Sequence, residues 1–548
     1  MVKNIFSLLA SRQNNILSGA SILMIAVFAS KFLGLIRDRL LVYNFDTSHA
    51  SIFFAAFRLP DLLFQLLIFG ALSVAFIPVF TDYLHQNKEP DAFEFASNIL
   101  NLSLLFFGIV ALIAAVFAPQ LNSLLVPGFS GDQKTQTDHL TRIILIGQVF
   151  LVVGAFFIGI AQSYQRFIIS SLAPLFYNLG IIIGIVFLSP MFGIVGPAYG
   201  VVIGAALHVL IQLPLVISLG FKYKFSFNFL NAGVKEIVKL MSVRNIGLAV
   251  EQLNETVGIA LASIVSYSSV TLLTFAQHLQ VVPIGLFGAT IAQAALPVLA
   301  REQAKGEIES FKITLLTTLH QILFLTLPAA AILIVLRIPV VRLVFGASQF
   351  NWNDTVLTGR TLAFFAAGLA AQSAILLLVR GFYAFKDTKT PVIGSIATVL
   401  INIILSVVFI QVLHLDVWSL GLAYAISSNF SLLFLVYFLN KKVGGFSRDK
   451  IVLPASKMLL AALVAAIALY IPIKALDQLV FDTTKTVNLF LLTGIASAFG
   501  IAIYLLLVWL LRVKELYTFV ELVKKTYNAR FKIQTEEMVK ETGTVQPQ

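Results

Sequence analysis

Apolar stretches of twenty or more residues, separated by short polar or Gly/Pro-bearing breaks, follow one another along almost the whole chain. A helix needs about 20 largely apolar residues to cross a ~30 Å hydrocarbon layer. Cutting the pattern at its breaks predicts 14 transmembrane helices, at 17–43, 51–82, 94–118, 139–165, 168–190, 193–220, 243–266, 270–298, 313–345, 357–385, 391–413, 418–440, 451–475 and 487–512. No gap between them is long enough to hold a soluble domain. Residues 1–16 carry an apolar run too short to span and no small-residue cleavage site, which predicts an interfacial segment and not a signal peptide. After the last span, Val513, Leu516, Phe519, Val520, Val523 and Tyr527 share one helical face with lysines elsewhere. Residues 513–548 are therefore expected to form a basic amphipathic helix on the inner leaflet, or a solvated one, with a short tail.

The pattern repeats. AFIPVFTDY after the second span echoes AALPVLARE after the eighth, aligning Pro78 with Pro297, and GPAYGVVIG echoes GLAYAISSN, aligning Gly196 with Gly421. Both offsets are near 220 residues, so spans one to six and seven to twelve read as copies, and an even number of spans per copy makes them parallel. The expected fold is all-α and polytopic. A six-helix bundle (17–220) and a second one with its preceding cytoplasmic loop (221–440) form two parallel repeats around a central cavity, followed by two extra helices (441–512) and the tail (513–548).

Composition agrees with this pattern and narrows the function. The 548 residues are 59% hydrophobic and 12% charged, with a mean hydropathy of +0.93, far from an ordinary soluble domain. The formal charge of +12 sits in short clusters between apolar runs, where it sets topology and meets anionic lipid, so no nucleic-acid partner is expected. Loops after even-numbered spans hold Lys88, Arg166, Lys222, Lys224, Arg301, Lys386 and Lys441 among others, while those after odd-numbered spans hold few cations, which puts both termini in the cytoplasm. Arg337 and Arg342 run against the trend. The absence of cysteine excludes disulfides, thiolate metal sites and thiol nucleophiles, and the seven histidines lack ligand spacing. No Walker loop or catalytic set stands out, so the chain reads as a transporter and not an enzyme.

The informative residues are the charges inside apolar runs, each costing ~2.5–3.5 kcal/mol at a helix centre unless it faces water or a partner. SKFLGLIRDRLL (30–41) places Lys31, Arg37, Asp38 and Arg39 in the first span. Lys31 and Asp38, seven apart, share a helical face, and Arg37 projects about 100° from Asp38. The four cannot all pair, so Arg37 and Lys31 are expected to be free to meet an anion with Asp38 orienting the cluster, while Arg39 snorkels to the outer interface. In the second span Arg58 and Asp61 flank Pro60, whose ring breaks a backbone bond. An Arg58–Asp61 pair and a substrate contact are both open. Glu251 and Glu255, one turn apart in the seventh span, are candidates for ion or proton coupling or for pairs with Lys239 or Arg244. Gln277 and His278 in the eighth span complete the candidate substrate-binding set, the histidine reading equally as a packing residue.

These segments resemble a known family. SKFLGLIRDRLL, FFAAFRLPDLL and FGALSVAFIPVF, followed in order by RFIISSLAPLFYN, VPIGLFG, ALPVLA, PVVRLVFG and RGFYAFKDTKTPV, are similar to the MurJ (MviN) lipid II flippases of the multidrug/oligosaccharidyl-lipid/polysaccharide exporter superfamily. The resemblance implies a multi-pass protein of the bacterial cytoplasmic (inner) membrane. Such a protein carries undecaprenyl-pyrophosphate-linked peptidoglycan precursor, lipid II, from the cytoplasmic to the periplasmic leaflet by alternating access. Partners would be lipid II, membrane lipids and cell-wall synthesis enzymes, the chain acting as a monomer. A cationic cavity would hold the diphosphate and spans thirteen and fourteen the polyprenyl tail. Arg37 and Asp38 match the family's Arg-Asp, and Lys31 stands at its preceding Arg. His278 and Val281 replace a family Arg and Glu, and Ser51 a family Asp. The family's sodium site is put in doubt by Gly258 in place of Asp and by an Asn/Asp pair that reads Asn402 and Ser406, so no cofactor is expected, and Asn402 stays with Glu251 and Glu255 as a candidate for ion coupling. An exporter of another polyprenyl-linked glycan or a drug, and a transport-dead cell-wall scaffold, are the alternatives.

Overall fold

The computed structural model describes residues 16–69, 76–85, 89–229, 231–479, 481–483, 485–518 and 520–521, and within these all regular structure is helical. The first half comprises α1 (Ile16–Asn44), α2 (Thr47–Phe64, running on into a π turn, Gln65–Phe69), α3 (Ile77–His85), α4 (Glu89–Val116), α5 (Ala118–Leu125) and α6 (Gly131–Ser163). It continues with α7 (Phe167–Ile183, then a π turn, Gly184–Leu188, and Ser189–Phe192) and α8 (Val195–Leu210, extended by Leu213–Ser218). The second half comprises α9 (Ala232–Val265), α10 (Ser269–Pro283, then a π turn, Ile284–Ala289), α11 (Thr290–Ala304), α12 (Ile308–Val335), α13 (Arg337–Phe345), α14 (Trp352–Ala367) and α15 (Leu369–Ala384). It ends with α16 (Lys389–Val407, with a π turn at Val408–Val412), α17 (Trp418–Lys442), α18 (Arg448–Leu479) and α19 (Thr486–Leu510).

Among the described residues, 12 helical segments are long and apolar enough to cross a membrane, or 13 if α14 and α15, which meet at Gly368, count as one span. The predicted first span, outside that count, is the 29-residue α1, ~43 Å long at 1.5 Å per residue. Two predicted spans divide, 313–345 at Leu336 before α13 and 357–385 at Gly368 between α14 and α15, and the helix of the stretch 94–118 stops before Phe117 with α5 beyond it. Pro119 causes the stop at Phe117 and Pro339 the break at Leu336, since a proline ring removes an N–H and collides with the carbonyl four residues earlier.

Backbone irregularities recur about 220 residues apart, the offset of the sequence echoes. The break before Ala118 matches that before Arg337. The π turns at Gln65–Phe69 and Gly184–Leu188 match those at Ile284–Ala289 and Val408–Val412. Left-handed backbone at Gln165 and Gly193 matches that at Lys386 and His414.

Packing divides the chain into two units. One comprises Met1–Val282, Arg337–Gly368 and Lys389–Ser431. Its core includes a phenylalanine stack in which Phe76 lies parallel to Phe80 and Phe95 and edge-on to Phe156 at 5.2 Å. α7 and α8 cross on glycine: a Cβ at Gly180 would lie 2.2 Å from Gly204 Cα, and one at Gly184 would lie 2.5 Å from Gly200 Cα. Only small residues let two membrane helices approach so closely, and this crossing sets the position of α7.

The other unit comprises Pro283–Leu336, Leu369–Thr388 and Leu432–Gln548. Phe311, Leu315, Leu377, Phe382 and Leu439 form one buried cluster there, and Met458, Ala461, Tyr504 and Val508 another. The Tyr504 hydroxyl donates to the Phe324 carbonyl at 3.0 Å. Of the expected C-terminal helix, Val513 is buried and Leu516 packs against the second cluster, and Glu515 pairs with His320 at 3.2 Å. Burial works to raise the Glu515 carboxyl, but the hydrogen bond from His320 brings it below its ordinary value. Phe519, Val523, Tyr527 and the N-terminal residues 1–15 lie outside the described residues.

Candidate functional site

The charges of α1 converge on one buried carboxylate. Asp38 is fully buried. Its Oδ1 accepts from Arg37 Nε (3.0 Å) and Nη2 (2.7 Å), and its Oδ2 accepts from His278 Nδ1 on α10 at 2.7 Å. Arg37 Nη1 donates to Asn178 Oδ1 on α7 at 3.1 Å, and the Asn178 amide donates in turn to Ser30 and to the Pro174 carbonyl. α1 and α10 thus meet at Asp38, and α7 joins them through Arg37, by charge-assisted bonds, the strongest class of hydrogen bond available to side chains.

This corrects the expectation that Arg37 turns away and stands free. The Cα–Cβ vectors of residues 37 and 38 do diverge, but the long guanidinium curls back along the helix. An unpaired carboxylate in a dry site costs several kcal/mol, so pairing wins. Arg37 is not sealed, however. Its side chain is 16% exposed and that of His278 36%, against 1% for Asp38. The three bonds use three of the five guanidinium N–H groups, leaving two without a partner among the described residues. Lys31, half-buried two turns up the Asp38 face, ~10 Å along the axis, makes no hydrogen bond or ion pair among the described residues.

Arg58 is different in kind. It is 4% exposed and bonds Glu255 (2.7 Å), Thr256 (2.9 Å) and both the carbonyl and the side-chain oxygen of Gln252, all on α9. The Asp61 pair does not form: Arg58 pairs with Glu255, and every nitrogen of its guanidinium is engaged in clamping α2 to α9. Glu255 is thereby an ion-pair partner of Arg58, while the side chains of Lys239 and Arg244 lie outside the described residues. Glu251 is exposed one turn earlier, and Gln277 is partly exposed beside His278. Asn402 on α16 donates to Asn254 on α9 at 2.9 Å and accepts from Ser406, so the polar pair of α16 ties these helices together.

A second polar cluster lies where α2, α10 and α14 begin. Ser51 and Thr271, both fully buried, share a hydroxyl bond of 2.9 Å, and Thr47 donates to Asp354 Oδ2 at 2.9 Å. Arg39, partly exposed, reaches the end of α13. Its Nη1 donates to the Leu343 carbonyl at 2.6 Å, placing a cation on the last turn of α13, where the helix leaves carbonyls unsatisfied and partially negative. Asp46 caps α2 through the His49 amide; burial pushes its carboxyl up, and the His49 bonds hold it net below its ordinary value. Sequence reasoning missed Asn178, Thr47, Thr271 and Asp354. For Asn178 the available signal is a lone amide in the apolar run PLFYNLG.

Residues 43–490 match the family described as lipid II flippase MurJ. A Vibrio cholerae protein named probable lipid II flippase MurJ is 31% identical over 396 residues, covering 69% of this chain and 75% of its own. One of the same name from Buchnera aphidicola (subsp. Baizongia pistaciae) is 26% identical over 425 residues, 77% of this chain and 83% of its own. A solved lipid II flippase MurJ in an inward closed conformation superposes with a TM-score of 0.75 at 26% identity, over 88% of this chain and 97% of that one. An inward-facing multidrug resistance MATE family transporter, 15% identical with a TM-score of 0.64 over 76% of this chain and 94% of its own, shares the fold.

Proposed function

The chain belongs to the lipid II flippase MurJ family, and from that premise we infer how its residues carry lipid II across the bacterial cytoplasmic membrane. It is a transporter of this lipid-linked peptidoglycan precursor, not an enzyme. The observation that carries the residue-level reading is the Asp38 carboxylate shared by Arg37 and His278, with Arg37 keeping N–H groups to spare on a partly exposed edge. With no substrate present, Asp38 offsets the cationic charge that would otherwise be stranded in the membrane. An arriving diphosphate offers more negative charge and several acceptor oxygens, and the planar guanidinium suits it bidentately. Arg37 then divides its bonds between Asp38 and the diphosphate, His278 contributes a second donor, and Lys31 meets the headgroup two turns away. Release returns Arg37 to Asp38, so the cluster holds an anion without trapping it.

In this reading the exchange is coupled to alternating access between two parallel repeats, which the recurrence of backbone irregularities about 220 residues apart supports. Arg58 and Glu255 position α2 and α9 and do not touch substrate. The exposed apolar faces of α18 and α19, with Leu463, Ile467, Ile471 and Phe490, accommodate the polyprenyl chain. The Lys/Arg bias of the loops puts both termini in the cytoplasm, where cell-wall synthesis enzymes make the substrate. The cycle so described needs neither a second chain nor a cofactor.

Lys31 gives a graded test. Lys31→Gln should lower lipid II translocation about tenfold, the worth of one charge-assisted contact, and Lys31→Arg should restore it, in cells where this chain is the sole flippase. Full activity of Lys31→Gln at wild-type protein level would remove Lys31 from the headgroup site.

A further inference from the structure

The segment FKYKFSFNF, residues 221–229, joins the extension of α8 to α9 and lies outside every helix. Its backbone is held against α4: the Lys224 amide donates to Ser97 Oγ (3.1 Å) and the Lys224 ammonium pairs with Glu94 (2.7 Å). Asn101 Nδ2 donates to the carbonyls of Lys224 and Ser226. Asn98 accepts from the Asn228 amide (2.6 Å) and donates to its carbonyl (2.9 Å). Two asparagine side chains and a serine thus pair with the segment's backbone as a sheet edge would, holding it straight where no strand is present.

Phe221 packs inward on Phe93 and Phe157, and the aromatic rings after it are exposed. Phe225 is 80% exposed, Phe229 62% and Phe227 40%, with the Phe225 and Phe227 rings edge-to-face at 5.0 Å. Tyr223 keeps its ring exposed and ties its hydroxyl to Asn101 Oδ1 at 2.6 Å. A row of rings held rigidly outward needs a cover, because aqueous exposure of so much contiguous apolar surface is unfavourable.

The depth of the row identifies the cover. α4 is a 28-residue membrane segment, ~42 Å long, about 12 Å more than a hydrocarbon layer of ~30 Å. Its lipid-exposed apolar side chains run from Leu105 through Phe106, Ile109, Leu112 and Ile113 to Val116. The strap is bonded to Glu94, Ser97, Asn98 and Asn101, just short of that band, and it begins three residues after the membrane segment Val195–Ser218. Both flanks put the rings at the boundary between acyl chains and headgroups, the level favoured by aromatic side chains flanked by lysine.

We propose that residues 221–229 form an aromatic strap that lies in the headgroup–acyl boundary of the leaflet at that end, held flat by Asn98 and Asn101. The occupant of the exposed face is the bilayer itself. The strap leads directly to Asn231, which caps α9 through the Gly233 amide. Anchoring it therefore also anchors the start of the helix that carries Gln252 and Glu255.

The chain has no native cysteine, so single cysteines can be spin-labelled without background. Full-length protein carrying Phe225→Cys or Phe229→Cys is reconstituted in phosphatidylethanolamine/phosphatidylglycerol vesicles and its accessibility to oxygen and to a nickel chelate compared. Leu112→Cys, on the lipid-facing side of α4, and Glu309→Cys, on an exposed first turn, serve as references. Both strap labels should read several-fold more oxygen-accessible relative to nickel than the Glu309 label, at a depth of ~5–10 Å and shallower than Leu112. Nickel access equal to that at Glu309 would place the strap in water, and screening from both reagents would place it under protein; either overturns the proposal. Adding Asn98→Ala with Asn101→Ala should mobilise the Phe225 label, and an unchanged line shape would show that the asparagines do not hold the strap.

Discussion

Asp38→Ala is expected to cut lipid II translocation by on the order of a hundredfold with the protein still in the membrane. Asp38 is the common acceptor of Arg37 and His278 and the only carboxylate bonded to either among the described residues. Removing one partner of a buried pair leaves an uncompensated charge, at about 3–5 kcal/mol, and each 1.4 kcal/mol is tenfold. Two functions go together. Arg37 keeps only Asn178, so its plane is no longer held toward its exposed edge, and α1 loses its link to α10. Asp38→Asn separates them: the amide oxygen still accepts from Arg37, so orientation survives, but the negative charge that competes with diphosphate does not. Asp38→Asn should bind substrate at least as well as the wild type yet turn over slowly, measured as lipid II retained by purified protein against lipid II delivered in cells. A fully active Asp38→Ala would remove the carboxylate from the cycle.

The second large effect falls on stability. Arg58→Met should lower folding stability by about 3 kcal/mol, the low end for breaking a buried ion pair, because Glu255, 49% exposed, can recover water and the Gln252 carbonyl keeps its bond from the Thr256 hydroxyl. Thermal unfolding in detergent should show a drop in Tm of several degrees. Glu255→Gln should cost less, since the amide oxygen and both Gln252 oxygens still accept from Arg58. A Tm for Arg58→Met within error of wild type would show that the α2–α9 clamp contributes nothing to folding.

These two arginines show what the chain disclosed and what it hid. Span positions were legible because a bilayer imposes one length and one polarity on every crossing helix, and errors came at Pro119 and Pro339, where the apolar run continues but the helix cannot. That Lys31, Arg37 and Asp38 need water or a partner was legible from the cost of placing charge in an apolar run. How the charges pair was not. Helical geometry sends Arg37 and Asp38 in different directions, and only the reach of the guanidinium, with Asn178 arriving from a helix 141 residues away, decides the bonding. Arg58, three residues before Asp61 in the sequence, finds Glu255 197 residues on. Periodicity carries no information about such partners. The aromatic strap was equally hidden, because Asn98 and Asn101 hold it from α4, where asparagine in an apolar helix reads only as an interruption.

The account turns on Arg37 meeting the diphosphate from its place beside Asp38. The direct measurement is the leaflet distribution of lipid II, read by an externally added enzyme that cleaves only outward-facing headgroups, in cells whose sole flippase is this chain with Arg37→Ala. At matched protein level the account predicts that lipid II accumulates uncleaved on the inner side, whereas cleavage at the wild-type rate would contradict it.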